Sequence, residues 1–305
     1  MAGRTPSTWF LTFCVLAILI VAGSVGGYLY LQNHRAPAAA YRTVVIGDNV
    51  TVNYIGEFGS GAETGKVFDT SILADARNNI SWPKALEYSF RTNLSQYTPL
   101  GVHVAPHTPA SGYMLHNVTF GGVVTGFWRG LLGLPGNVTR TITIPPDLGY
   151  GPTNTSCLVT APLVSHVPVT ESIPEADFIT DYPNVTMVPG TEFVDPTYHW
   201  TDLIYSSNAT TVTVENLAPA GFVSTGGPWS VTVTSNSDGV LTLTNDIAPS
   251  QAGLLLGHSK TSVCSSNKYI VSAVDPSAGT YTEDFNNEVV GQTLVFIVTV
   301  VDIYP

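Results

Sequence analysis

Charge is scarce in this chain. Of 305 residues, 11 are Lys or Arg and 22 are Asp or Glu, giving a formal net charge of -11. No basic run is present that could displace counterions from phosphates, which argues against a nucleic-acid partner. Cysteine and methionine are scarcer still, with three of each. The seven histidines (34, 103, 107, 116, 166, 199 and 258) are dispersed, and no His pair sits at ligand spacing near a cysteine, so no metal is expected. Asp and Glu are too scattered to suggest a glycosidase pair. Gly-x-Ser-x-Gly, phosphate-loop and dinucleotide fingerprints are missing, and no cofactor is expected. Disorder is disfavoured too, because 44% hydrophobic and 10% aromatic residues suffice to bury a core.

What is present begins with an uncharged run, Trp9 to Leu31. As a helix its 23 residues would span about 34 Å, enough for a hydrocarbon core of roughly 30 Å. The reading is a single-pass transmembrane anchor at 9–31, with 1–8 cytoplasmic and an Ala/Pro linker over 32–42. Tyr28 and Tyr30 suit a membrane interface. A cleaved signal peptide ending near Ala38 or Ala40 is the alternative. Either reading puts the rest of the chain on the extracytoplasmic side. Eight Asn-x-Ser/Thr sequons point the same way: Asn49, Asn79, Asn93, Asn117, Asn137, Asn154, Asn184 and Asn208. With 17 Asn, chance would give roughly three or four, so N-glycosylation is expected. Cys14 falls in the apolar run. Cys157 and Cys264 are read as a disulfide suited to an oxidising compartment, with two free buried thiols as the alternative.

Along the chain, strand character starts at Val44-Val45-Ile46 and resumes at Val50-Val52-Tyr54 after a Gly47-Asp48 turn. Residues 72–112 carry Pro83, Pro99, Pro106 and Pro109 and read as an irregular flap. Gly126–Leu134 is a short helix, and Arg140–Ile144 a strand stopped by Pro145-Pro146. From Pro152 to Thr282 the sequence is rich in Thr and Val. Strands are predicted at 211–215, 230–234, 240–244 and 269–274, with Asp238-Gly239 as a hairpin turn. No helix of any length and no internal repeat is apparent there. Thr293–Val301 reads as a central strand.

Four stretches carry a family resemblance: Val67-Phe68-Asp69-Thr70-Ser71, Gly126 to Leu134, Thr141 to Gly151, and Asp284 to Phe296. In that order they resemble the FKBP-type peptidyl-prolyl cis-trans isomerases. The closing Asp-Phe-Asn-Asn-Glu-Val-Val-Gly-Gln-Thr-Leu is similar to the SlyD-like and archaeal subclass, which carries a chaperone domain inserted in its flap. Asn287 stands where the subclass has His, and no His-rich tail follows. The resemblance implies an α+β, mostly β fold. This is an antiparallel FKBP-like half-barrel with one short helix (43–156 and 283–305), split by an inserted β-rich domain (157–282), plus the N-terminal transmembrane helix.

It also implies a prolyl pocket lined by Tyr54, Phe68, Asp69, Val123, Val124, Phe127, Tyr150 and Phe296. Leu100 would replace an aromatic and Val289 would supply a wall. The Val124 N–H and the Tyr150 hydroxyl would hold client carbonyls, while Asp69 orients polar groups at the rim. The implied function is a membrane-anchored extracytoplasmic isomerase. Its partners would be proline-containing or unfolded exported polypeptides. The alternative is a cell-surface binding or structural subunit retaining the fold with little catalysis. Without the resemblance, Phe68, Phe127 and Phe296 read simply as core.

Overall fold

The computed structural model describes residues 42–106 and 112–305. Every element below lies in the compact unit Val44–Pro305. The first part contributes β1 (Asn49–Phe58), β2 (Val67–Thr70), α1 (Leu73–Arg77), β3 (Leu100–His103), β4 (Tyr113–Leu115), β5 (Val118–Gly121), α2 (Thr125–Leu131) and β6 (Thr139–Ile144). A middle run follows: β7 (Leu158–Pro162), β8 (Val164–Pro168), β9 (Thr170–Pro174), α3 (Glu175–Asp181), β10 (Glu192–Val194), β11 (Thr201–Ser207) and β12 (Thr211–Asn216). The remainder is β13 (Val223–Ser224), β14 (Ser230–Ser237), β15 (Val240–Asp246), β16 (Leu256–Val263), β17 (Ser266–Asp275), β18 (Thr280–Asp284) and β19 (Leu294–Tyr304).

The largest sheet has seven strands in the order β4-β5-β3-β1-β19-β6, with β2 also paired to β1. Alternation along β19 explains its central place: Leu294, Phe296, Val298 and Val300 are buried against Val50, Val52, Leu131 and Ile144. Each such side chain contributes about 1.5–3 kcal/mol by leaving water. Pro145 ends β6 because a proline has no N–H to continue the ladder.

The expected fold class is overturned. Among the described residues 45% are strand and 12% helical, and the strands form four separate sheets rather than a half-barrel split by one inserted β-rich domain. The large sheet is not purely antiparallel either, since β5 runs parallel to β3 with Gly101 opposite Phe120. The segment 72–112, expected to be irregular, supplies α1 and β3. Val44–Ile46 is not a strand; Val45 and Ile46 are exposed and the pairing of β1 starts only at Asn49. Among the described residues three short α-helices stand where one short helix was expected, α3 among them in the region read as helix-free. The predicted transmembrane helix at Trp9–Leu31 and Cys14 lie outside the described residues. Among those described, no helix is long and apolar enough to cross a membrane.

The second correction concerns repetition. The middle region is three copies of one four-stranded module. In each, a three-stranded meander is completed on its far side by one outgoing strand, giving β10-β11-β12-β9, β13-β14-β15-β8 and β16-β17-β18-β7. They are termed the distal, middle and proximal modules. The outgoing strands form one extended segment, Leu158–Pro174, broken only at Leu163 and Val169.

The correspondence reaches single bonds. Leu163, Val169 and Glu175 each follow an outgoing strand and donate their N–H to the carbonyls of Gly279, Gly239 and Thr210, at 2.8, 2.8 and 2.9 Å. Gly190, Gly221 and Gly253 all have positive φ and donate to Ile204, Val233 and Val271, the buried residue just before a one-residue bulge in the middle strand. The positive φ explains glycine at each of the three sites.

A signal for this was present in the sequence: Ala161-Pro162, Val167-Pro168 and Ile173-Pro174 recur every six residues. Because the residue after each proline bonds inward, the proline faces the open edge, where a missing donor costs nothing and blunts edge-to-edge pairing. The copies have diverged in side chains and loop length, which hid the period. Trp200 precedes β11 but packs with Val233, Leu241 and Leu243 of the middle core. Trp229 precedes β14 and packs on the proximal core of Cys157, Tyr269, Val271, Tyr281 and Phe285. The distal and middle modules thereby each lend a tryptophan to the core of the next.

Candidate functional site

Three neighbouring elements and one helix converge on the inner face of the large sheet. Tyr54 comes from β1, Phe68 and Asp69 from β2, and Phe296 from β19, opposite Gly56 of β1. A Cβ at Gly56 would lie 2.7 Å from the Phe68 ring and 2.9 Å from the Phe296 ring, so only glycine lets both rings rest on the strand. Phe127 arrives on α2, which sits unusually close to β6. Cβ atoms at Gly126 and Gly130 would fall 2.4 and 2.5 Å from Ile144 and Ile142. Phe296 is the hub, with ring centroids 4.9 Å from Phe127, 5.5 Å from Phe68 and 6.0 Å from Tyr54.

These rings, with Asp69, Leu100, Val123, Val124 and Tyr150, line one cavity of about 630 Å³. Nine of the ten residues expected from the resemblance are thus brought together. The exception is Val289, which is 8% exposed and packs in the core rather than on the cavity. Tyr150 is 51% exposed and stands at the mouth.

The rim is polar and tightly bonded. The Tyr54 hydroxyl donates to Asp69 Oδ2 at 2.5 Å, and Arg91 Nη2 donates to Asp69 Oδ1 at 2.6 Å and to the Tyr54 oxygen at 3.3 Å. Arg91 also donates to the Gln96 carbonyl at 3.0 Å and lies 5.2 Å above the Tyr97 ring. Burial, then the Asp69 charge, pushes the Tyr54 hydroxyl above its ordinary range, and the same two causes raise Tyr150. Both therefore remain donors at neutral pH. Sequence reading missed Arg91; its signal was being the lone cation among the aromatics Tyr88, Phe90 and Tyr97. Gly112 and Gly122 were also missed. Val124 is the N-cap of α2, where backbone N–H groups have no partner within the helix.

Among the described residues, no group of three or more His, Cys, Asp or Glu could hold a metal ion. Cys157 and Cys264 form a disulfide. Of the sequon asparagines, Asn49 is buried: it is 8% exposed, lies in β1 opposite Tyr304 of β19 and His103 of β3, and its side-chain oxygen is engaged by Tyr113 and by His103 at 2.9 Å. Asn79, Asn93, Asn117, Asn137, Asn154, Asn184 and Asn208 are exposed. The boundary of the middle region also moves, because Phe285 belongs to the proximal module's core. No protein-family model matches the chain, and no curated protein matches it by sequence.

Proposed function

We propose that the Phe296-centred cavity binds proline and that the chain is an FKBP-type peptidyl-prolyl cis-trans isomerase acting on exported polypeptides outside the cytoplasm. The observation that carries this reading is the convergence of motif residues, from four separated stretches, on a single aromatic cavity. Rotation about an Xaa–Pro bond faces a barrier of about 18–20 kcal/mol set by amide resonance. The twisted imide is less polar than the planar one, so a dry aromatic cavity favours it over the ground state.

The donors would act on the flanking carbonyls. The Val124 N–H at the head of α2 holds the prolyl-side carbonyl, and the Tyr150 hydroxyl holds a second one at the mouth. Asp69, fixed by Arg91 and Tyr54, keeps the rim polar and the tyrosine ring in place. No nucleophile or proton transfer is required. The disulfide and the seven exposed sequons support an extracytoplasmic setting. The three-module region is read as the client-holding part.

The test is isomerisation of an Xaa–Pro tetrapeptide and of a refolding protein limited by proline isomerisation. Acceleration that is lost in Phe68→Ala and reduced in Tyr150→Phe supports the reading. A chain without activity on either substrate refutes it and leaves a binding role for the same fold.

A further inference from the structure

A second cavity, of about 320 Å³, lies where the three modules meet. It is bounded by Tyr269 and Tyr281 of the proximal module, Trp229 and Asn245 of the middle one, and Tyr198 from the loop before β11. Its existence follows from an inequality between copies. Trp200 and Trp229 stand four residues before the bulge-preceding Ile204 and Val233, and are therefore counterparts. Trp200 is 3% exposed and stacked on Tyr198 at 4.4 Å. Trp229 is only half-buried and lines open space. One module junction is sealed and its counterpart is not.

The lining identifies the class of occupant. It contains no Asp, Glu, Lys or Arg, so nothing there would balance a charged ligand. Trp229 Nε1 is already committed to Asn245 Oδ1 at 2.9 Å, and the Tyr281 hydroxyl to Glu283 at 3.2 Å. These rings consequently offer apolar surface. Hydrogen-bonding capacity comes instead from Ser165, Thr197, Ser224 and His258, whose side chains make no hydrogen bond to any described residue. Flat aromatic surface beside hydroxyls that both donate and accept, together with a histidine ring, matches a ligand with apolar C–H faces and a hydroxyl fringe.

We infer that this junction is a binding site for a neutral saccharide, one pyranose ring in size. A cavity of this volume is at the small end for ligand sites, and a single ring with few contacts binds in the millimolar range. The site is independent of the isomerase reading, since none of its residues lines the Phe296 cavity.

The test is titration of the full chain with glucose, mannose, galactose and N-acetylglucosamine. It is followed by tryptophan fluorescence and by saturation-transfer NMR, to about 50 mM. Saturable binding of at least one sugar is expected, weakened about fivefold or more in Ser165→Val and in His258→Ala. Both are side chains without protein partners, so both variants should fold. Trp229→Phe, which keeps a ring, should bind more weakly with an altered fluorescence response. The inference is overturned if no sugar binds, or if binding is unchanged in both Ser165→Val and His258→Ala. It is equally overturned if a proline-rich peptide occupies the cavity and no sugar competes with it.

Discussion

Substituting Gly126 by alanine tests how the cavity is assembled, because two effects of opposite sign meet there. Alanine in a helix interior is favoured over glycine by about 1 kcal/mol. At Gly126, however, the new methyl would lie 2.4 Å from Ile144 Cγ2 and 3.1 Å from two further Ile144 carbons. Ile144 is fully buried and paired with Leu294, also fully buried, so it has nowhere to go. Overpacking of this kind costs about 1–3 kcal/mol, which outweighs the propensity gain at most of that range.

The helix must move outward by about 1 Å to restore ordinary contact, and it carries Phe127 and the Val124 N-cap with it. A displacement of that size costs about 100-fold in a positioned reaction. Expected, then, is a net loss of about 0–2 kcal/mol in denaturant unfolding, with a fall of about 10–100-fold in kcat/KM on an Xaa–Pro tetrapeptide. Adding Ile144→Ala removes the clashing methyl, so the double variant should lose less activity relative to Ile144→Ala than the single does relative to the parent. A Gly126→Ala protein more stable than the parent and equally active would refute the close helix–strand contact and the pocket built on it.

Other expectations follow from the same chemistry. Phe296→Ala should cost about 3–5 kcal/mol in stability and abolish isomerisation, since it removes the ring that three others touch; a thermal melt and a tetrapeptide assay read both. Asp202 is 1% exposed with Oδ1 unpartnered, and burial, then the Asp195 charge, pushes its carboxyl up to about 7. The folded chain holds that proton more tightly than the unfolded one. Stability is therefore full below about pH 4, falls as pH rises to about 7, and then levels off. The loss is at most about 4 kcal/mol from this group, and Asp202→Asn should flatten the profile in urea melts. Replacing Cys157 and Cys264 by serine opens a loop of 107 residues and should lower stability by about 4–5 kcal/mol, read by denaturant unfolding. Trp200→Ala should loosen the middle module more than the distal one, with hydrogen exchange accelerating first around Leu241 and Leu243.

How far the sequence spoke for itself differs between the two halves. Period-two alternation announced β1 and β6, Thr/Val-rich runs announced β12, β14, β15, β17 and β19, and proline or Asp-Gly marked several of their ends. Nine cavity residues were named from motifs, yet Arg91 was not, because its partner Asp69 meets it only after a long loop folds back. Val289 shows the reverse failure: its place in a motif said nothing of which way the chain turns there. Val44–Ile46 had strand composition but no neighbouring strand to complete a ladder. Asn49 satisfied a sequon while sitting in a sheet, since a three-residue pattern carries no information about access. The threefold repeat stayed hidden because the side chains of the copies diverged while bulges, left-handed glycines and ladder bonds were kept, and those are backbone properties.

The order in which the modules close has a consequence for synthesis. The outgoing segment emerges first, but its strands find partners last-in, first-out: Pro174 pairs with Thr211, Pro168 with Val240 and Pro162 with Thr280, and only then can Ile144 meet Leu294. The pairings are nested like brackets, each enclosing a longer stretch than the one before. Closing the inner pair shortens the free chain that the next must loop across, so the entropic penalty is met in instalments. Such a chain would zip from the distal module to the proximal one as it leaves the ribosome, and the aromatic cavity would be the last thing it completes.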